Sequence, residues 1–234
     1  MARLPRLAVA GEAHVVLQRG HGGSAVFLDD DDRRRYLSAM HEAMVKAQVA
    51  VHAYALSNDS LYLLATPQTG DSLGRAMQAT GRRYSQAFNR QHERTGTLWD
   101  GRFRSTVVES GANFLEAMIF IDQLPVRVGL VESARLYRWS SARHHLGIAN
   151  DPLLTAGADY WSLGNTPFDR AVAYGRLLDE LLAIDKAASI AAAAEKGWAL
   201  GSSAFVMHIQ RLIDRPVAPR PRGRPRSTKS GMVR

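Results

Sequence analysis

The residues of this sequence best suited to chemistry are two arginines in a basic tail. The last 20 residues, 215–234, hold seven Lys and Arg residues and no acidic one. Within them the run Arg222-Gly223-Arg224-Pro225 has the core pattern of an AT-hook. The narrow minor groove of A/T-rich DNA attracts arginine, while glycine allows close backbone approach and proline favours an extended chain. The pattern predicts contact with A/T-rich DNA; a solvated tail that only aids solubility is the alternative.

A second basic group falls on a predicted helix from Ser72 to about Gln91 and in the segment after it. With one aromatic ring, its members are Arg82, Arg83, Arg90, Arg94, Trp99, Arg102 and Arg104. Guanidinium groups contact phosphates, and an indole ring can stack on a base. These residues are candidates for binding nucleic acid; a charged helix face paired with Glu93 and its neighbours is the alternative.

The net charge of +8 is concentrated in the tail. Of the 30 basic residues, seven lie in 215–234, so residues 1–214 hold 23 basic and 22 acidic residues, a net charge of +1. An excess of positive charge placed in this way favours a polyanionic partner such as nucleic acid.

The composition also excludes several classes of protein. The sequence has no cysteine, which excludes a disulfide framework, a cysteine-based zinc site, an iron–sulfur cluster and a thiol nucleophile. No apolar run approaches the ~18 residues of a membrane span. Residues 1–9 lack the apolar core of a secretory signal. We therefore expect a cytoplasmic protein with no membrane partner.

Hydrophobic periodicity and turn residues predict the elements that must position these side chains. They are a strand centred on His14–Leu17, a helix from Asp29 to about Gln48, strands at Val49–Leu56 and Leu61–Thr66, a helix at Ser72–Gln91, a strand at Phe103–Val108 and a helix at Asn113–Leu124. This order is typical of an α+β fold with a ferredoxin-like antiparallel sheet and helices on one face. The run Asp29–Asp32 begins the first helix as capping residues; a metal site is the alternative.

The chain after residue 150 is richer in alanine and leucine. One long helix from Pro167 to about Glu195 and a short helix from Ser202 to Ile213 are predicted there. The expected organisation is a domain at 1–150, a small helical extension at 151–213 and a basic, disordered Arg/Pro tail at 214–234.

Several sequence blocks, taken together and in order, resemble the REP-associated tyrosine transposases. The blocks are Val49 with His52-Ala53-Tyr54, Gly81-Arg82-Arg83-Tyr84 with Phe88-Asn89-Arg90, Gly96-Thr97-Leu98-Trp99-Asp100-Gly101-Arg102, Pro125-Val126-Arg127 with Gly129-Leu130-Val131, and Trp139-Ser140-Ser141. The resemblance covers about residues 5–150. Residues 197–215 and the tail also resemble C-terminal extensions of that group. The resemblance implies a bacterial, nucleoid-associated DNA-binding protein of the single-tyrosine, His-hydrophobic-His type.

The resemblance also implies a catalytic site, which this sequence does not carry. In that family a tyrosine attacks a DNA phosphodiester, and two histidines with one polar residue hold Mg²⁺ or Mn²⁺. The positions matching the two histidines are Ser60 and Tyr62, the nucleophile position is Phe120, and the third ligand position is Leu124. Phenylalanine has no hydroxyl, leucine has no lone pair, and serine and tyrosine are poor ligands for these ions.

The resulting prediction is an inactive homologue with no catalytic residue, no metal ligand and no cofactor, which binds hairpin or single-stranded DNA. Two alternatives stay open. An active transposase could use displaced ligands such as His52, His144 or His145, and would need Mg²⁺ or Mn²⁺. RNA is the second alternative, because ferredoxin-like sheets also bind RNA.

Overall fold

A four-stranded antiparallel sheet organises the part of the chain that the computed structural model describes, residues 7–219. Its strands are Ala13–Arg19 (β1), Val49–Leu56 (β2), Ser60–Pro67 (β3) and Arg104–Val108 (β4), in the spatial order β2-β3-β1-β4. β1 lies between β3 and β4, with Leu17 opposite Tyr62 on one side and Arg104 on the other. The predicted α+β class and ferredoxin-like sheet are confirmed.

Nine α-helices accompany the sheet in residues 7–219. They are Asp30–Ala47 (α1), Ser72–Gln91 (α2), Ala112–Asp122 (α3), Leu124–Arg127 (α4), Ala142–His145 (α5), Ala158–Trp161 (α6), Pro167–Asp179 (α7), Ile184–Lys196 (α8) and Ser203–Leu212 (α9). The Asp29 side chain accepts the backbone N–H of Asp32 at 2.8 Å, which caps α1 as the aspartate run predicts. None of these helices has the length and hydropathy of a membrane span.

The two faces of the sheet are covered by different helices. α1 and α2 pack together on one face, where Tyr36 and Tyr84 meet strand residues such as Leu63. α3, α7 and α8 pack on the other face, against strand residues such as Val15 and Leu64. The expectation of helices on one face is corrected in this respect. Helices lie on both faces because the strands carry apolar side chains on both, and each apolar face must be covered.

The predicted long helix from Pro167 to Glu195 is two helices, α7 and α8. The Gln123 amide causes the break: its Nε2 donates to the carbonyl of Leu178 at 2.9 Å, and its Oε1 accepts the N–H of Leu182 at 3.1 Å. Arg127 Nη2 also donates to the carbonyl of Leu182 at 2.6 Å. These bonds replace the intrahelical bonds that a continuous helix would make.

Part of the predicted tail is folded. Arg215 is buried and its Nη2 donates to the carbonyl of Gly197 at 2.6 Å. Val217 is buried in a small cluster with Leu7 and Val107. Residues 215–217 therefore pack against the sheet, and a tail without such contacts can start only beyond them. Residues 220–234, which include Arg222, Gly223, Arg224 and Pro225, lie outside the described residues.

A buried polar network joins α3 to the Trp139–Ser141 segment. The backbone of this segment extends the edge of β2, since the N–H of Leu56 donates to the carbonyl of Trp139 at 3.0 Å. The Asp122 carboxylate, which has no exposure, accepts hydrogen bonds from Ser141 Oγ at 2.5 Å and Tyr174 Oη at 2.8 Å. Its Oδ2 also accepts from His145 Nδ1 at 2.7 Å. The network therefore fixes α3, α5 and α7 relative to the sheet edge.

Replacing Asp122 with alanine is expected to lower the free energy of unfolding by about 3–5 kcal/mol, because three buried polar groups lose their shared partner. Urea unfolding followed by circular dichroism measures the change. Asp179→Ala is the matched control, since Asp179 forms an exposed ion pair with Arg135 and should cost less than about 1 kcal/mol. Equal losses in the two variants would contradict the importance of the network.

Candidate nucleic-acid interface

The positions that the resemblance assigns to a metal and a nucleophile form an apolar contact. Tyr62 on β3 and Phe120 on α3 pack edge to face, with ring centroids 5.3 Å apart. Both side chains and Leu124 are buried in the core on this face of the sheet. Ser60 lies at the strand end, where its Oγ donates to Asp59 Oδ1 at 2.9 Å. The structure thus brings Tyr62 and Phe120 together, in packing rather than in a polar site.

These residues do not fit a divalent metal ion. Mg²⁺ and Mn²⁺ prefer carboxylate, carbonyl and water oxygens as ligands, and this cluster offers a phenol ring, a phenyl ring and a leucine side chain. Burial raises the pKa of Tyr62, and the nearby Arg19 opposes that rise only in part. The phenol therefore stays protonated at neutral pH and is a weak nucleophile.

Tyr84, the other tyrosine considered as a nucleophile, serves the core. Its hydroxyl donates to the backbone carbonyl of Val26 at 2.5 Å, and its ring packs against Tyr36 with centroids 5.1 Å apart. Burial raises the pKa of Tyr84, and the nearby Asp32 adds to that rise. Neither of the two tyrosines thus has an exposed, activated hydroxyl.

The histidines proposed as displaced metal ligands are engaged in hydrogen bonds. His52 Nδ1 donates to the carbonyl of Thr155 at 2.7 Å, and its Nε2 lies 2.9 Å from Thr66 Oγ1. Burial lowers the pKa of His52, so the ring is neutral at pH 7. Both ring nitrogens of His145 face oxygen acceptors, the Asp122 carboxylate and the carbonyl of His52. These two rings therefore have no nitrogen left for a metal.

His144 and the aspartate run are likewise engaged in hydrogen bonds. The Nδ1 of His144 accepts the backbone N–H of Asp151 at 3.1 Å. Among residues 7–219, one group of three side chains has metal-ligand spacing: Asp29, Asp32 and His92. Its atoms already cap α1 and join the His92 Nε2 to the buried Asp32 carboxylate at 3.0 Å. These contacts account for the cluster as a link between the start of α1 and the end of α2.

The predicted DNA-contacting arginines divide into paired and unpaired side chains. Arg83 forms an ion pair with Glu42, and Arg104 forms one with Glu195. The guanidinium of Arg94 lies over the Phe88 ring, 5.6 Å from its centroid. The remaining three are exposed and make no ion pair with any residue between 7 and 219: Arg82, Arg90 and Arg102. Of the predicted arginines within residues 7–219, these three are immediately available to phosphate groups.

Trp99 does not present the free ring that base stacking requires. It is 6% exposed and packs among Phe27, Tyr36 and Tyr84, with ring centroids about 6 Å away. A β-bridge between Gly20 and Trp99 fixes the loop against the end of β1. The predicted stacking role is thus corrected, because moving the ring onto a base would open the core. Its edge nevertheless lines a groove.

That groove lies between α2 and the Gly96–Phe103 loop and has a cavity volume of about 850 Å³. Arg82 and Arg102 line it, as do Gly74, Gly81 and Gln18. The last three residues are site candidates that sequence reasoning missed. The available signal was the pair of glycines within one amphipathic helix, a placement that lowers helix stability and indicates a close approach.

The chain was compared with known proteins and structures. No protein-family model matches the sequence, and a search of curated proteins finds no match. Among solved structures it is similar to a REP-associated tyrosine transposase bound to a REP hairpin, with a TM-score of 0.52 and 14% identity over 68% of this chain and 93% of that one. A putative transposase from Deinococcus radiodurans is 20% identical over 47% of this chain and 88% of that one, with a TM-score of 0.36.

The first similarity extends to nearly the whole of the other chain and covers two thirds of this one. At 14% identity it shows the fold. The fold expected from the sequence blocks, that of the REP-associated transposases, is therefore the fold that this chain has.

Proposed function

We propose that this chain is a DNA-binding protein that holds hairpin or single-stranded DNA without cutting or joining it. The observation that carries the proposal is the set of exposed arginines without ion pairs, Arg82, Arg90 and Arg102, on and beside α2. Two of them border a groove that is large enough for part of a polyanion. Free guanidinium groups beside a concave surface are a suitable site for phosphates.

The preference for hairpin or single-stranded DNA is supported by two observations. A solved structure with the same fold is that of a REP-associated tyrosine transposase bound to a REP hairpin. The groove of this chain is concave and largely apolar at its base, where Leu73, Met77 and Phe103 lie. A regular duplex presents phosphates and base edges, whereas an unpaired segment can also place apolar base faces in such a groove.

The proposal of lost chemistry is supported by the packing of Tyr62 against Phe120. A nucleophile at either position would need a hydroxyl that is accessible and activated, and the cluster provides neither. Mg²⁺ and Mn²⁺ have no role in this proposal, since binding through arginines requires no metal.

The basic tail belongs to the same proposal as a second DNA contact. Val217 packs with Leu7, whose carbonyl accepts a hydrogen bond from Ser105 Oγ at 3.1 Å, and Ser105 lines the groove. Val217 therefore lies near the groove. Arg222 and Arg224 follow it by five and seven residues, a length of chain that is sufficient to reach duplex DNA extending from the groove.

Replacing Arg82 or Arg102 with alanine is expected to weaken hairpin binding and to reduce the slope of log K against log salt by about one unit each. Fluorescence anisotropy with a labelled DNA hairpin over a salt series, in the presence of EDTA, measures both quantities. Arg83→Ala is the matched control on the same helix, because its guanidinium is already paired with Glu42. Binding that needs Mg²⁺, an equal loss in the Arg83 variant, or tighter binding of an RNA hairpin would contradict the proposal.

Removing residues 220–234 is expected to weaken binding to A/T-rich duplex DNA while leaving the melting temperature unchanged. The cut is placed after Pro219 because Arg215 and Val217 belong to the folded part of the chain. The full-length double variant Arg222→Ala, Arg224→Ala is expected to lose the same affinity and separates the motif from general tail charge. Unchanged affinity in both proteins would contradict the proposal that the tail contacts DNA.

A further inference from the structure

The exposed side chains of α2 are of three kinds only: guanidinium groups, amides and one alanine. They belong to Arg75, Gln78, Ala79, Arg82, Arg83, Gln86, Arg90 and Gln91. The helix holds no acidic residue, whereas α1 beside it exposes Asp31 and Glu42 among its arginines. Arginine and glutamine can each form paired hydrogen bonds with a base edge, arginine with guanine and glutamine with adenine. The composition of this face is therefore typical of a helix that contacts bases in a DNA groove.

Three of these side chains form one row along the helix. Arg82, Gln86 and Arg90 follow one another at intervals of four residues, so each lies about 6 Å further along the axis and about 40° further round it. All three are exposed, and none makes a hydrogen bond or an ion pair with another residue between 7 and 219. The row therefore presents free hydrogen-bonding groups to solvent, with the Gln86 amide between two guanidinium groups.

A trough between α1 and α2 runs along the side of the row that faces α1. Its cavity volume is about 430 Å³, and Arg35 and Arg83 contribute to its lining. Arg90 follows Arg83 by seven residues, which is two helical turns, and so lies on the same side of α2. The carboxylate beside Arg35 is that of Asp32, which is 3.9 Å away and buried. The Arg35 guanidinium can therefore contact a phosphate in the trough, as Arg102 can on the other side of α2.

We propose that the C-terminal half of α2 lies in the major groove of the duplex stem of a bound hairpin, where Gln86 and Arg90 contact base edges. A major groove is about 12 Å wide and admits one α-helix, with a phosphate backbone on either side of it. One backbone then passes Arg82 and Arg102, and the other passes Arg35 in the trough. The inference rests on the proposed function and names the two side chains by which the protein distinguishes one stem sequence from another.

The test uses DNA hairpins that share one loop and carry random base pairs in the stem. Hairpins retained by the full-length protein in EDTA are sequenced, and the most enriched stem is compared by fluorescence anisotropy with a stem of the same composition in permuted order. Wild-type protein is expected to bind the enriched stem about 100-fold more tightly, about tenfold for each of two paired base contacts. One adenine and one guanine should be selected within about two base pairs of each other, because residues four apart on a helix are about 6 Å apart.

Two variants at exposed positions of α2 assign the selected bases to side chains. Gln86→Ala is expected to lose the selected adenine and to reduce the preference for the enriched stem about tenfold, while its affinity for the permuted stem stays the same. Arg90→Gln is expected to select adenine where wild-type protein selects guanine, since it replaces a guanidinium with an amide. Gln91→Ala is the matched control, because Gln91 is an exposed amide of the same helix outside the row, and its selected stem should be that of wild-type protein.

The outcomes separate this inference from the proposed function. Selection of no stem sequence by wild-type protein, or selection of the same stem by Gln86→Ala and Arg90→Gln, would overturn the inference alone, because hairpin binding itself would persist. A changed stem in Gln91→Ala would also contradict the assignment to the row. Retention of no hairpin by wild-type protein would instead refute the proposed function.

Discussion

The carboxylate of Asp122 lies at the end of α3 with no contact to solvent, and the arrangement of the helices around it depends on its hydrogen bonds. Ser141, His145 and Tyr174 all donate to it, and they come from the segment at the β2 edge, from α5 and from α7. Because a buried carboxylate is tolerated only when its oxygens are satisfied, these segments have one arrangement that meets the requirement. α3 is therefore held firmly against the sheet, whatever side chains it presents there.

That placement of α3 bears on the proposed absence of transposase chemistry. The helix sets Phe120 against Tyr62 of β3, so two positions to which the resemblance assigns a nucleophile and a metal ligand are in contact. They meet through rings that exclude water, and no residue of the cluster suits a divalent ion. The scaffold and the reactive side chains are thus separable: the contacts that hold the helix lie at Asp122, two residues from the position that would act on DNA.

The opposite face of the sheet carries the exposed arginines on which the proposed DNA binding depends. α2 presents Arg82 and Arg90 without acidic partners, whereas Arg83 and Arg104 are neutralised by Glu42 and Glu195. Sequence alone identified these arginines as one group, because each is basic and near the others. The sequence could not separate the ion-paired arginines from the unpaired ones, since the acidic partners are distant in the chain and come close only after folding.

The difference between local and long-range interactions also explains which parts of the fold could be predicted from the sequence. Strands, helices and their order follow from local periodicity, and they agree with the structure from β1 to α3. The break between α7 and α8 depends on Gln123, more than fifty residues earlier, and no local signal marks it. The ring of Trp99 is in the core because three other aromatic residues converge on it, and this too is a long-range effect. The groove combines both kinds of information, since its glycines are visible in the sequence while Gln18 and Trp99 join them only through the sheet.

The most direct test of the central claim separates binding from covalent chemistry in one experiment. The full-length protein is incubated with single-stranded and hairpin DNA in Mg²⁺ or Mn²⁺, and equal samples are run on native and denaturing gels. We expect a shifted band on the native gel and no protein–DNA adduct on the denaturing gel, with the same native shift in EDTA. A metal-dependent adduct would contradict the account, and the identity of the modified tyrosine would show where an active site exists.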